Sequence, residues 1–162
     1  MFEQKISGSK LNVIRTSKNN SGQIYDLERR IFRVNECFSR SQLRYLVSSP
    51  NASFFLLRNN NSSVGFGITL RNKLRNGKYR GRIYSIGVLP AYRSMGAGKL
   101  LLDAMEKYLI KSNVSFIVLE TLKGRGGAET FFAKHVYMES KFLHNYYPYG
   151  DAVRMRKTVT TG

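Results

Sequence analysis

The chain has 162 residues, 42% of them hydrophobic, which suits one domain with a full apolar core and excludes a disordered chain. Its apolar runs are far too short for a membrane-spanning helix. Lys plus Arg is 27 against 10 Asp plus Glu, a net charge of +17 that favours anionic partners and is silent on fold. The opening MFEQKISGSKLNV lacks the apolar centre of a secretory signal, and Cys37, the one cysteine, excludes an intramolecular disulfide. A cytoplasmic protein without membrane attachment is expected, as a monomer or dimer. With two histidines besides, no metal site is expected.

Leu11 to Arg15 reads as a first strand. Gln23 to Phe32 reads as a helix, with Ile24, Leu27 and Ile31 on its apolar face and Asp26, Glu28, Arg29 and Arg30 on the wet side. A second helix, Ser41 to Val47, is capped by Ser39 or Ser41 and ended by Ser48-Ser49-Pro50. Ala52 to Arg58 is an apolar run between turns and reads as a buried strand. It forms a hairpin with Val64 to Arg71 through an Asn/Ser-rich turn. Arg82 to Val88 is the fourth strand, after a basic loop. Lys99 to Lys111 is a strongly periodic helix with Leu101, Met105, Tyr108 and Leu109 inward and an Asp103–Lys107 pair outward. Ser115 to Thr121 is the fifth strand and Gly127 to His135 a short helix. Phe142 to Tyr146 and Asp151 to Lys157 are closing strands. The order β-α-α-β-β-β-α-β-α-β-β predicts an α/β protein of the α+β kind, a mixed sheet with helices on its faces. It excludes a TIM barrel and a doubly wound sheet. No linker divides residues 1–162, so a single domain is expected.

The stretch Ile83 to Leu102, IYSIGVLPAYRSMGAGKLLL, carries the chemistry. A strand ends at Val88, a Pro90 turn follows, and Arg93-Ser94-Met95-Gly96-Ala97-Gly98 opens a helix. The first N–H groups of a helix have no internal partner and lie at the positive end of its dipole. Gly96 and Gly98 let an anion approach them, with Arg93 and Lys99 alongside. Neither the NTPase phosphate loop nor the full GxGxxG fingerprint is present.

The unit V-L-P-x-Y-R-x-x-G-x-G-x-x-L-L resembles the acetyl-CoA loop of the GCN5-related N-acetyltransferases (GNAT), and the element order resembles their fold. RIYSIGV, LET at Leu119 to Thr121 and HNYYPYGDAVRM at His144 to Met155 look most like the ribosomal-protein-alanine and other N-terminal acetyltransferases. The resemblance implies a mostly antiparallel sheet splayed between the fourth and fifth strands, with acetyl-CoA as acyl donor. Pantetheine would lie along Ile86, Gly87 and Val88. Pyrophosphate would lie at Ser94, Met95, Gly96, Ala97, Gly98 and Lys99, with Arg93 at the turn. Lys123, Arg125 and Lys99 would meet CoA phosphates, or belong to a solvated basic segment.

The implied general base is Glu120, which follows the apolar run Ile117-Val118-Leu119; a carboxylate paired with a surface arginine is the other reading. The family's helical tyrosine falls at Phe132 and its asparagine at Arg125. The thiolate's proton must then come from Tyr137, Tyr146, Tyr147 or solvent, and Phe132 would pack on pantetheine. The linker Arg33 to Arg40 and the loop Tyr146 to Gly150 would wall the acceptor cleft, with Glu36, Tyr146, Tyr147 and Tyr149 as substrate contacts. Cys37 reads as a small buried hydrophobe. Six cations between Arg71 and Arg82 are either a docking surface for RNA, the ribosome or an acidic protein, or a solvated hairpin. The expected acceptor is a primary amine, foremost a protein or peptide N-terminus. The alternatives are a small amine, or a non-catalytic basic module that binds CoA or nucleic acid.

Overall fold

The computed structural model describes residues 2–6, 9–124 and 127–160. The elements in chain order are β1 (Phe2–Ile6), β2 (Ser9–Thr16), α1 (Ser21–Ile31), α2 (Arg40–Ser48), β3 (Ala52–Asn59), β4 (Ser62–Lys73), β5 (Tyr79–Val88), α3 (Ala97–Lys111), β6 (Phe116–Leu122), α4 (Gly127–Lys134), β7 (Met138–Tyr147) and β8 (Gly150–Thr158). The strands form one sheet in the order β1-β2-β3-β4-β5-β6-β8-β7. Only β5 and β6 run parallel; the other neighbours are antiparallel. The expected mixed sheet and helix order are present. One strand, β1, was not expected, because FEQKI has no apolar alternation to announce it; it pairs with β2 from Phe2↔Val13 to Ile6↔Ser9. No helix among the described residues is long and apolar enough to cross a membrane.

Helices on both faces explain the unbroken apolar run of β3. Phe55 and Leu57 enter a first core under α3, while Phe54 and Leu56 enter a second core under α1 and α2. Helix α3 lies close to the sheet because β4 carries glycine where they meet. A Cβ at Gly67 would overlap Met105 Sδ, and Met105 is fully buried. Gly67→Ala is therefore expected to cost about 1–3 kcal/mol through overpacking. At about 2–4 °C per kcal/mol for a chain of this size, thermal melting reads it directly; an unchanged melting temperature would contradict the packing.

Two helical details differ from expectation. Asp103 pairs with Lys99, four residues before it. Glu28 is buried at 2% exposure on α1. By spacing it belongs with Ile24, Leu27 and Ile31, and the fold follows that periodicity over its polarity. Ser39 caps α2 in a full capping box with Gln42.

Candidate active site

The central feature is the gap between β5 and β6. Their pairing runs from Arg80↔Phe116 to Arg82↔Val118 and goes no further. The next residue but one, Tyr84, is an extra residue in the β4–β5 register, where Ile68 pairs with Ser85 and Thr69 with Ile83. This bulge bends β5 off the line of β6, so the two strands diverge. On its other side β5 stays paired to β4. Leu89 N–H donates to Val64 O at 2.9 Å. Alternation along an antiparallel ladder then turns the backbone N–H and C=O of Val88 and Ile86 away from β4, into the gap. The Val88 carbonyl accepts from Arg93 Nε at 3.0 Å.

This sorts the expected pantetheine residues. Ile86 and Val88 present backbone groups to the gap. Gly87 points its backbone at β4, and its missing Cβ makes room for α1: a Cβ there would lie 3.0 Å from Ile31 and 3.1 Å from Phe32. Packing accounts for Gly87. Arg93 likewise ties the turn to the end of β5.

Beyond β5 a 3-10 turn at Pro90–Tyr92 leads to the loop before α3. Ser94 (φ 63°) and Gly96 (φ 80°) are both left-handed, and Gly96 is the N-cap of α3 with no side-chain cap. Leu100 N–H donates to Gly96 O at 3.0 Å, so the N–H groups of Ala97, Gly98 and Lys99 precede the first helical bond and stay open. Ser94, Met95 and Gly96 are exposed. A Cβ at Gly98 would touch the Phe131 ring at 3.4 Å, so α4 closes one side of this N-terminus. A polyphosphate fits this cradle of open N–H groups on general grounds. Lys99 is exposed and paired with Asp103, and Lys123 pairs with Glu139 at 3.3 Å. Arg125 lies outside the described residues.

Glu120 sits on β6 just past the last β5–β6 pair. Its side chain is only 4% exposed and is held by two guanidiniums. Arg82 Nε donates to Oε2 at 3.1 Å, and Arg154 reaches Oε1 with Nε and Nη2, both at 3.0 Å. A carboxylate has about four acceptor positions. Among the described residues one hydrogen bond falls on each oxygen, Arg154 Nη2 adds an ionic contact to Oε1, and Oε2 keeps an acceptor position. The paired-carboxylate reading therefore holds, with arginines that are part of the site itself. Neither arginine was singled out for it from sequence.

Three tyrosines stand beside this cluster. Arg82 Nη2 donates to Tyr146 Oη at 2.9 Å, and Tyr147 Oη donates to the Glu120 carbonyl at 3.4 Å. Tyr147 stacks on Tyr149 with 5.1 Å between centroids and meets Tyr146 edge-on at 4.9 Å. Burial pushes the Tyr147 phenol well above the usual range, with neighbouring Tyr149, Tyr146 and Glu120 adding to the effect. Tyr84 is raised likewise by burial, against the opposing charge of Arg82.

Tyr137 and Phe132 are elsewhere. Tyr137 is 2% exposed, packed on Phe132 at 5.6 Å, with Glu106 near its hydroxyl and the Lys157 ammonium 5.5 Å from its ring centroid. Burial and the Glu106 charge both raise its pKa. It is a core tyrosine beside Glu106 of α3, and that burial corrects the expected proton-donor role. Phe132 is 5% exposed in the first core, wedged between Phe131 and Tyr137.

The α1–α2 connection carries a 3-10 turn at Val34–Glu36 that places Glu36 half-buried. Glu28 holds it. The Phe38 N–H donates to Glu28 Oε1 at 3.1 Å, and Arg29 Nη2 donates to the Phe38 carbonyl at 3.0 Å. Burial raises the Glu28 carboxyl to about 8, against the Phe38 N–H and Arg29, which lower it. Cys37 is half-buried, with its thiol 3.3 Å from the Arg33 carbonyl, in keeping with a packing role.

The profile of the acetyltransferase (GNAT) family matches residues 22–136. A search of curated proteins finds no match. Among solved structures, a chain of the NatC complex bound to Gag peptide and CoA is 20% identical, with 93% of this chain and 99% of that chain covered and a TM-score of 0.81. The ribosomal-protein-S18-alanine N-acetyltransferase of Escherichia coli is 19% identical, with 94% and 96% covered and a TM-score of 0.79. Arabidopsis thaliana Naa50, in complex with the bisubstrate analogue CoA-Ac-MVNAL, is 22% identical, with 92% and 99% covered and a TM-score of 0.78. At these identities the likeness carries the fold, and the family match carries the chemistry: the chain belongs to the acetyltransferase (GNAT) family and takes its acetyl group from acetyl-CoA.

Proposed function

We propose that the chain is a one-domain cytoplasmic enzyme that acetylates the α-amino group of a protein or peptide, with Glu120 as the proton acceptor. The observation that carries this is the acceptor position that the described residues leave on Glu120 Oε2, beside a gap into which the Val88 N–H points. An ammonium is not a nucleophile, so the acceptor amine must lose a proton before it attacks the thioester carbonyl. Oε2 receives that proton, directly or through water. The Val88 N–H donates to the carbonyl oxygen as negative charge develops there. The C–N bond forms, the C–S bond breaks, the nitrogen gives up its second proton to solvent, and the thiolate takes a proton from Tyr147 or solvent, Tyr147 being reprotonated from solvent.

The α1–α2 connection and the three tyrosines of the β7–β8 hairpin flank this point, as walls for an extended acceptor. The peptide-bound NatC complex and the CoA-Ac-MVNAL analogue bound to Naa50 support a polypeptide acceptor by analogy of fold. The +17 charge disfavours cationic small amines.

The test is release of CoA thiol from acetyl-CoA with three acceptor sets: peptides with a free α-amine, the same peptides blocked at the N-terminus but carrying lysine, and small polyamines. Turnover confined to the first set is expected. Turnover of the polyamines alone would replace this reading with the small-amine one. Tyr147→Phe is expected to lower kcat/KM between about twofold and tenfold, the worth of one hydrogen bond. Its check is the same thiol assay beside calorimetry of acetyl-CoA, whose affinity should not move.

A further inference from the structure

We propose that the uncovered half of the sheet next to the acceptor cleft is a docking face for an acidic segment of the polypeptide acceptor. This deepens the polypeptide reading and rests on it. The second core, under α1 and α2, ends at Tyr84 on β5, and none of its buried members comes from β6, β7 or β8. On that same side Val118 (4% exposed) of β6 and Ala152 (0%) of β8 are buried, yet they belong to neither core. The neighbours of Val118 across the sheet are Arg82 on β5 and Arg156 on β8. Long arginine stems shield apolar surface while their heads stay near water. One row along, Glu120 neighbours Arg154, and Arg154 neighbours Lys141 on β7. Arg80 lies beside Phe116.

The face thus gathers five cations, Arg80, Arg82, Lys141, Arg154 and Arg156, around the carboxylate of Glu120. That carboxylate occupies Arg82 and Arg154. Among the described residues Arg80, Lys141 and Arg156 have no carboxylate at ion-pairing distance, and the buried Arg80 Nε has no acceptor. Strands lie about 4.8 Å apart, and residues two apart on one strand are separated by roughly 6.7 Å; an extended chain with acids at alternate positions repeats at that same spacing.

The chemistry favours acidic polypeptide over single-stranded nucleic acid. Stacking of bases needs open aromatic faces. Here the guanidinium of Arg156 lies 3.8 Å over Phe116, and that of Arg82 lies 5.4 Å from the Tyr84 centroid.

The experiment is fluorescence anisotropy with the full chain and three labelled probes: an N-acetylated peptide with glutamate at alternate positions, its glutamine counterpart, and a twelve-nucleotide oligouridine. The blocked peptide needs no acetyl transfer to bind. Separately, transfer to an unblocked neutral peptide tests the polypeptide reading itself, so the two can fail independently. The glutamate peptide is expected to bind at least tenfold more tightly than the glutamine one, with affinity falling as salt rises. Lys141→Glu with Arg156→Glu should erase that preference and leave acetyl-CoA binding intact. Lys73→Glu with Lys78→Glu, an equal charge change at the tip of the β4–β5 hairpin, should retain it. Equal loss in both double variants would reduce the effect to net charge and overturn the proposal. So would equal binding of the two peptides, or tighter binding of the oligouridine.

Discussion

Replacing Glu120 with glutamine is expected to lower kcat by about 10²–10⁴-fold, the usual worth of a general base, with acetyl-CoA affinity unchanged. Glutamine keeps the shape and one acceptor oxygen but cannot take up the amine's proton. The substitution also has a structural consequence. Removing one partner of a buried ion pair costs about 3–5 kcal/mol when both charges are sealed from water. Arg82 and Arg154 keep 25% and 29% of their side-chain surface exposed. Water relieves them in part, and a smaller loss, about 1–3 kcal/mol, is expected. The assays must therefore run well below the lowered melting temperature, with calorimetric acetyl-CoA binding as proof of a folded site. Arg154→Lys separates the roles. It keeps the charge but loses the double contact to Oε1, so Glu120 loses its orientation more than its environment. An intermediate kcat with acetyl-CoA affinity unchanged is expected. A Glu120→Gln enzyme with normal kcat and a lower melting temperature would reduce Glu120 to a clamp joining β5, β6 and β8.

Much of this site was legible in the sequence because it is local. The loop from Val88 to Gly98 carries its glycines, its strand end and its helix start within a dozen residues, and the structure opens the helix where they imply. The base candidate was legible too, at the end of an apolar strand. Its surroundings were not. Arg82 and Arg154 are 72 residues apart, and what brings them to Glu120 is the order β5-β6-β8, a parallel crossover and a returning hairpin. Arg82 sat in a run of six cations, and alternation puts it on one face with Arg80, but nothing in that run announces the carboxylate 38 residues on that it engages. Tyr137 misled for a similar reason. Its chemistry suits a proton donor, but it follows α4 and returns under α3 beside Glu106. Glu28 failed differently: its spacing placed it on the apolar stripe, and its residue type argued for water. The fold resolves that conflict by giving the carboxylate the backbone N–H of Phe38 on the α1–α2 connection.

Glu28 is expected to make the chain less stable as pH rises from 5 to 8.5. Burial lifts its carboxyl from the ordinary 4.5 to about 8. Below pH 4.5 both the folded and the unfolded chain hold the proton. Between pH 4.5 and 8 the unfolded chain has released it and the folded chain has kept it, so folding takes up a proton and loses driving force with each step in pH. Above 8 both forms are ionised and the full penalty stands. Each unit of difference is worth 1.36 kcal/mol, so the loss amounts to a few kcal/mol. Other groups titrate over the same range, and the comparison that isolates Glu28 is with Glu28→Gln. Glutamine still offers an oxygen to the Phe38 N–H and carries no charge at any pH. Urea unfolding of both proteins from pH 5 to 8.5 should show the variant gaining on the parent as pH rises, by most of that amount. Parallel curves would mean that Glu28 ionises in the folded chain as freely as in the unfolded one. Acetyl transfer to peptides should follow the same trend. Among the described residues an ionised Glu28 has the Phe38 N–H and Arg29, at 3.4 Å, to offset its charge, too little to balance its burial, and the strain falls on the connection that Phe38 belongs to. Above pH 8 the KM for peptide should rise in the parent and stay level in Glu28→Gln, while the KM for acetyl-CoA stays level in both.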